Sequence, residues 1–247
     1  MNVLICIGIV PDTTSKIRFI ENDTKFNKSD IQYIVGPYEE LALTRLLEIK
    51  DSGIPMNITV VNVGTSDSDP VIRKTLAVGA DEAIRIDADP TDALFVAKQI
   101  AEVYKSGSYD FIVTGKESID YNGGQIDGMI AEFLDLPSIS GAAKIEIIGN
   151  NAKIEREIDG GKEVVEVTFP FVTSAQKGFA LEPRIAGMRG IMDAKKKKLT
   201  VVSAVEQTNS TQISKHFLPA AKAACKIISS DNVGELVRLL HEEAKII

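Results

Sequence analysis

Apolar residues run without a break over positions 3–10 and stop at Pro11 and Asp12. The run is short for a helix and rich in β-branched side chains, so it predicts a strand buried on both faces. Residues 12–36 are polar and irregular, with one strand candidate at 31–35. Pro37 suits a first helical turn and opens a helical spacing of Leu41, Leu43, Leu46, Leu47 and Ile49, which Gly53 stops. The same cycle then recurs. Residues 57–63 read as a second buried strand, and Gly64 and Thr65 turn the chain. A helix over 70–78, capped from Asp67 to Asp69, ends at Gly79. Residues 83–86 form a third strand, 93–104 a helix capped by Thr91 or Asp92, and 110–113 a fourth strand. Strands and helices alternating at short intervals predict right-handed βαβ units and a parallel sheet.

The texture changes after residue 140. Segments 142–148, 152–158 and 162–169 read as strands joined by the hairpin turns GNN and DGG, and 172–175 as a further strand. Residues 181–198 read as a loop containing Pro183, Gly187 and Gly190, closed by four lysines. Residues 203–215 are a polar linker. A last helix is capped by Asp231 and lines one face with Val233, Leu236, Val237, Leu240 and Ala244. The fold class is therefore α/β: a doubly wound, mainly parallel sheet with an antiparallel hairpin extension and a C-terminal helical arm. The division expected is a domain over 1–200 and a linker with arm over 201–247.

Composition narrows the partners. A net charge of −7 over 247 residues argues against nucleic acid, which needs a cationic face. Cys6 and Cys225 stand far apart and offer neither metal-ligand spacing nor a disulfide framework, which suits a reducing cytoplasm. The N-terminus lacks a basic region and cleavage site, and no apolar stretch approaches the ~20 residues that span a bilayer, so no membrane insertion is expected.

In open parallel sheets, ligands bind beyond the carboxyl ends of the strands. Those ends carry Gly8 and Pro11, then Val63 and Gly64, then Gly115. The loop from Gly115 to Gln125 is the richest, because its glycines admit an anion and the helix at 126–134 offers free N–H donors. It reads either as a phosphate loop or as a plain polar loop with a cap. No P-loop, dinucleotide G-x-G-x-x-G or nucleophile elbow is present. His241 neighbours Glu242 and Glu243 as a surface residue, His216 falls in the linker, and Cys6 is an inert packing group inside the first strand. No catalytic set emerges. The lysine run reads either as a solvated stretch or as a basic patch that steers an acidic protein. Ile185, Met188, Ile191 and Met192 precede it, and Met188 is an adaptable apolar knob if exposed.

Four stretches resemble motifs of electron-transfer flavoprotein β subunits, including the FixA-type members. Arg156-Glu157-Ile158-Asp159-Gly160-Gly161 is similar to that family's REIDGG hairpin, and Gly115-Lys116-Glu117-Ser118-Ile119-Asp120 to its GKQ-x-ID loop. Glu182-Pro183-Arg184 followed by Ile191-Met192-x-Ala194 and Lys195, Lys196, Lys197 and Lys198 resembles its EPR…IM-x-AKKK recognition loop. Leu76-Ala77-Val78-Gly79-Ala80-Asp81 resembles its LA-x-GAD segment. The motifs keep the family's order and span most of the chain.

The resemblance implies a Rossmann-like, adenine-nucleotide-binding fold and a heterodimer with an α subunit that holds most of the FAD. This chain would carry a structural AMP, or a second FAD in bifurcating members that oxidise NADH. Electrons would pass from acyl-CoA or other flavin dehydrogenases of fatty acid β-oxidation to a quinone oxidoreductase, with no bond chemistry on this chain. Carried over by position, the nucleotide contacts are Cys6, Gly36, Pro37, Tyr38, Glu39 and Val63. The loop adds Ser118, Ile119, Asp120, Tyr121, Asn122, Gly123, Gly124, Gln125, Ile126, Asp127, Gly128 and Met129. Met188 stands where the family's anchoring leucine falls, in a docking loop with Glu182, Pro183, Arg184, Ile191, Met192 and the lysines. The chain departs from the family at Gly124-Gln125-Ile126-Asp127, where AMP-binding members read NQTG, and it also differs from the DGDTAQ-VG of bifurcating members. The loss of a Thr hydroxyl and the gain of the Asp127 carboxylate weaken a phosphate contact. The rivals are a stand-alone nucleotide-binding module of the stress-protein type and an enzyme that adenylates its substrate with ATP. PDTTSK is a poor phosphate turn for the latter.

Overall fold

The protein is described by a computed structural model covering residues 1–222 and 224–247. Strands β1 (Asn2–Cys6), β2 (Ile9–Pro11), β3 (Phe19–Ile20), β4 (Lys25–Phe26) and β5 (Tyr33–Val35) lead into helix α1 (Pro37–Asp51). Then come β6 (Asn57–Gly64), α2 (Asp69–Val78), β7 (Glu82–Asp87), α3 (Ala93–Ser106), β8 (Phe111–Gly115) and α4 (Ile126–Leu134). The second half holds β9 (Ser138–Ile148), β10 (Asn151–Ile158), β11 (Gly161–Thr168), β12 (Phe171–Ala175), α5 (Met188–Ala194), β13 (Leu199–Ser203) and α6 (Val233–Arg238).

Nine of these strands form one sheet in the order β11-β10-β9-β12-β8-β1-β6-β7-β13. From β9 to β13 every neighbouring pair is parallel, and β10 runs antiparallel to both β9 and β11. The α/β fold, doubly wound with an antiparallel extension, is the one the pattern predicts. Side chains alternate across β1: Val3 and Ile5 pack with Leu46 of α1 and Ile72 and Leu76 of α2. Leu4 and Cys6 pack with Ala97 and Ile100 of α3 and Ile130 of α4. Burial on both faces is why the strand carries no polar alternation. Phe111, Phe169 and Phe171 stack on one another, with ring centroids 5.2–5.5 Å apart, where β8 meets β12.

Several local expectations need correction. The apolar run at 3–10 is two strands. The Ile7 N–H donates to the Val61 carbonyl (2.9 Å) and the Ile7 carbonyl accepts from Asn62 Nδ2 (2.8 Å). The chain then leaves the sheet at Gly8, and β2 pairs antiparallel with β5. An unbroken apolar run cannot reveal that turn, because both pieces carry apolar side chains. The carboxylates from Asp67 to Asp69 do not cap α2; a 3-10 turn at Ser66–Ser68 precedes it, and Asp69 is drawn to Arg85 at 2.7 Å. Asp92, not Thr91, caps α3, accepting from the Leu94 and Phe95 N–H groups. Asn232, not Asp231, caps α6.

Two elements escaped the sequence pattern. Strand β13 runs across residue 200 and pairs in parallel with β7 at the sheet edge. The 181–198 segment contains the helix α5 rather than loop throughout. The C-terminal face is not packed either: Val233, Leu236 and Val237 are exposed, and Leu239 is the buried residue there.

Candidate functional site

Helix α1 links the two regions of interest, because it starts at the carboxyl edge of the sheet and ends at the opposite edge. Its first turn holds Glu39, whose carboxyl group lies among three glycines. A Cβ at Gly8 would stand 2.6 Å from Glu39 Oε1, one at Gly115 would stand 2.6 Å from Cδ, and one at Gly36 would be closer still. The Gly8 N–H donates to Oε1 at 3.3 Å, while Oε2 has no partner among the described residues. Glu39 is only 5 % exposed. Burial pushes its pKa up to about 7, against the pull of the Glu39 and Gly8 N–H groups, and the nearby Asp120 charge pushes the same way.

Of the residues expected at the inward site, Gly36, Cys6 and Asp120 lie near this carboxyl group. Cys6 ends β1, buried, and burial followed by the Glu39 charge raises its thiol pKa far above the usual range. That thiol is inert. Val63 is buried one residue before the end of β6, Gly36 is buried, and Pro37 and Tyr38 are half-buried. Ser118 and Ile119 are half-buried, and Asp120, Tyr121, Asn122, Gly123, Gly124 and Gln125 are exposed. Asn122 and Gly124 take positive φ (50° and 58°), and the Asn122 N–H donates to the Ser118 carbonyl at 2.8 Å, so the loop folds back on itself. In α4, Ile126 and Met129 are half-buried and Gly128 is exposed, whereas Asp127 is 3 % exposed. Asp127 Oδ1 accepts from the Gly128 N–H at 2.9 Å and Oδ2 has no partner among the described residues.

Two features here were not anticipated. Asn62 is buried with Nδ2 on the Ile7 carbonyl and an unpartnered Oδ1. A cleft of about 560 Å³ opens beside the loop, lined by Tyr38, Lys116, Glu157, Gln176, Lys177 and Gly178. No sequence spacing joins Lys116 to Lys177; the parallel pairing of β8 with β12 does.

The outward region lies at the other end of α1 and α2. A 15-residue helix separates Glu39's end from Asp51's by about 20 Å. The Arg184 N–H donates to the Thr44 hydroxyl (2.9 Å), and its guanidinium meets Asp51 (2.6 Å). A Cβ at Gly190 would collide with the Ala77 carbonyl, so glycine lets α5 press on α2. Arg73 donates to the carbonyls of Ala194 (2.8 Å) and Lys197 (2.6 Å). Pinned in this way, the segment still exposes its apolar side chains. Leu181 is 95 % exposed, Ile185 91 % and Met188 79 %, and Ile191 and Met192 are also exposed. Glu182, Pro183, Lys195, Lys196 and Lys198 face solvent, while Arg184 is half-buried. Lys197 is turned inward, donating to the carbonyls of Leu76 and Ala80 at the end of α2, which removes it from the exposed group. Thr44, Asp51 and Arg73 anchor the segment, and nothing in their local sequence signals the role, since each acts over more than a hundred positions.

Among the described residues no cluster of His, Cys, Asp or Glu could hold a metal ion, and no helix is long and apolar enough to cross a membrane. Residues 23–207 match the family model described as the electron transfer flavoprotein domain. The chain is similar to the electron transfer flavoprotein subunit beta of Syntrophomonas wolfei, 35 % identical over 91 % of this chain and 88 % of the relative. The Bacillus subtilis subunit beta is 32 % identical over the whole of both chains. The human subunit beta is 32 % identical over 82 % of this chain and 81 % of its own.

Proposed function

Because the chain belongs to the electron transfer flavoprotein family, on the β-subunit side, we propose that it is the docking and bracing subunit of an αβ electron carrier. The observation that carries this reading is the pinned 181–198 segment. Apolar side chains as exposed as Leu181, Ile185 and Met188 mark an interaction surface. Their backbone is fixed to α1 and α2 by Arg184, Arg73 and Lys197, so little ordering entropy opposes docking.

In this reading the α subunit holds most of an FAD, which when bound supplies one-electron redox chemistry. This chain contributes position and contact. Its nine-stranded sheet is a rigid platform. Met188 and its apolar neighbours fill a cavity on a flavin dehydrogenase, and Lys195, Lys196 and Lys198 steer that partner's acidic surface. The electrons pass onward to a quinone oxidoreductase. The exposed apolar positions of the C-terminal arm, Val233, Leu236 and Val237, pack on the α subunit. The cytoplasm is the compartment.

The direct test is co-expression with the α subunit encoded by the same genome. A one-to-one complex with a flavin spectrum, reducible by a flavin dehydrogenase, is the expected outcome. A stable, flavin-free monomer indifferent to the α chain would favour the stand-alone nucleotide-binding module instead.

A further inference from the structure

The family resemblance implies a phosphorylated adenine nucleotide in this chain, and the residues at the inward site do not fit one. Phosphates bind at helix N-termini because free N–H groups point at them and the dipole favours negative charge. Here both helices that start at the carboxyl end of β8 already carry a buried carboxyl group in their first turn: Glu39 in α1 and Asp127 in α4. The two helices lie on opposite faces of the sheet, so the groups flank the end of β8 from both sides. Glu39 fills the close space between Gly8, Gly36 and Gly115, the space that glycines would otherwise leave for an anion. It also takes the Gly8 N–H. Asp127 takes the Gly128 N–H, one of the free donors of α4. Among the described residues Glu39 Oε2 and Asp127 Oδ2 each remain buried without a partner, and in their ionised form both call for hydrogen-bond donors, which a phosphomonoester dianion does not supply.

We infer that the inward site of this chain is closed to phosphate, its anion positions being filled by the chain's own carboxyl groups, Glu39 and Asp127. A phosphate dianion brought beside the Asp127 carboxylate meets like-charge repulsion that burial screens only weakly. The same exclusion applies to AMP and to the pyrophosphate of a second FAD. The inference rests on the β-subunit reading but is tested separately from it. Assembly of a flavin-containing heterodimer tests that reading, whereas AMP or a second FAD bound beside the first tests this one.

The experiment uses the purified αβ complex. Small molecules released on denaturation are identified by chromatography, and AMP is titrated calorimetrically into the intact complex and into its Asp127→Asn and Glu39→Gln variants. The expected result is one FAD per complex and no AMP, with AMP binding at least about tenfold tighter to Asp127→Asn than to the wild type. Assembly and flavin spectrum confirm that each variant is folded, and if Asp127→Asn fails that check the Glu39→Gln comparison decides. Stoichiometric AMP or a second FAD released from the wild type would overturn the inference. So would folded variants that bind AMP no better than the wild type.

Discussion

The ammonium group of Lys197 sits 2.6 Å from the Ala80 carbonyl and 2.9 Å from that of Leu76, closing the carboxyl end of α2. A cation there satisfies carbonyls that have no helical partner and complements the dipole. One member of a run of four lysines is therefore structural while its neighbours face solvent. Lys197→Met is expected to lower unfolding free energy by about 1–3 kcal/mol, read from denaturant midpoints, and to leave the salt dependence of partner association unchanged. Replacing Lys195, Lys196 and Lys198 with alanine should do the reverse. Equal behaviour of the two variants would remove the distinction.

Met188 is the exposed knob of the pinned segment. Met188→Ala is expected to raise the apparent KM for a dehydrogenase donor about tenfold while flavin content stays unchanged. Steady-state reduction assays with the assembled complex measure both quantities. Unchanged kinetics would place the docking surface elsewhere.

Glu39 gives the stability a pH signature. Its folded pKa, about 7, lies above the ordinary carboxyl value of 4.5, so the folded state binds the proton more tightly than the unfolded chain. The contribution is fully present below pH 4.5, is lost as pH rises towards 7, and is level above that. The loss amounts to about 3 kcal/mol. Glu39→Gln should flatten the stability profile between pH 4.5 and 7 in denaturant titrations, making the variant relatively more stable at pH 8.

Asp92 ties the root of the C-terminal arm to the sheet domain. It caps α3 and also accepts from the Ser210 and Thr211 N–H groups and the Thr211 hydroxyl (3.0, 2.6 and 2.7 Å). The Thr211 hydroxyl leads in holding its pKa at about 2. A carboxylate depressed in this way stabilises above its ordinary pKa of 3.8, and the effect fades as pH falls towards 2. Asp92→Ala is expected to cost about 1–2 kcal/mol through the lost cap. It should also speed proteolytic cleavage beyond residue 205, followed by mass spectrometry. Cleavage at the wild-type rate would mean the arm is held elsewhere.

Much of the fold was legible because burial on both faces leaves a direct trace. β1, β6 and β8 read as mainly apolar runs because each is packed on both faces, with Thr59, Asn62 and Thr114 as the buried polar exceptions. The bounds of α4 and the start of α1 follow from spacing and from Pro37. β13 was not legible, because Leu199–Ser203 is an edge strand with mixed exposure and becomes a strand only by lying against β7. The split of the first apolar run at Gly8 was hidden for the opposite reason, since both halves are apolar.

The candidate sites divide along the same line. The parallel α/β architecture and the family could be read from residues alone, because local periodicity and contiguous motifs carry those. The folded chain alone reveals that Lys197 turns inward, that Thr44, Asp51 and Arg73 hold the 181–198 segment, and that Glu39 fills the space between Gly8, Gly36 and Gly115. Each of those relationships joins residues far apart along the chain. A side chain's partner at such a distance is set by sheet order and helix packing, and neither the composition nor the spacing of its neighbours records it.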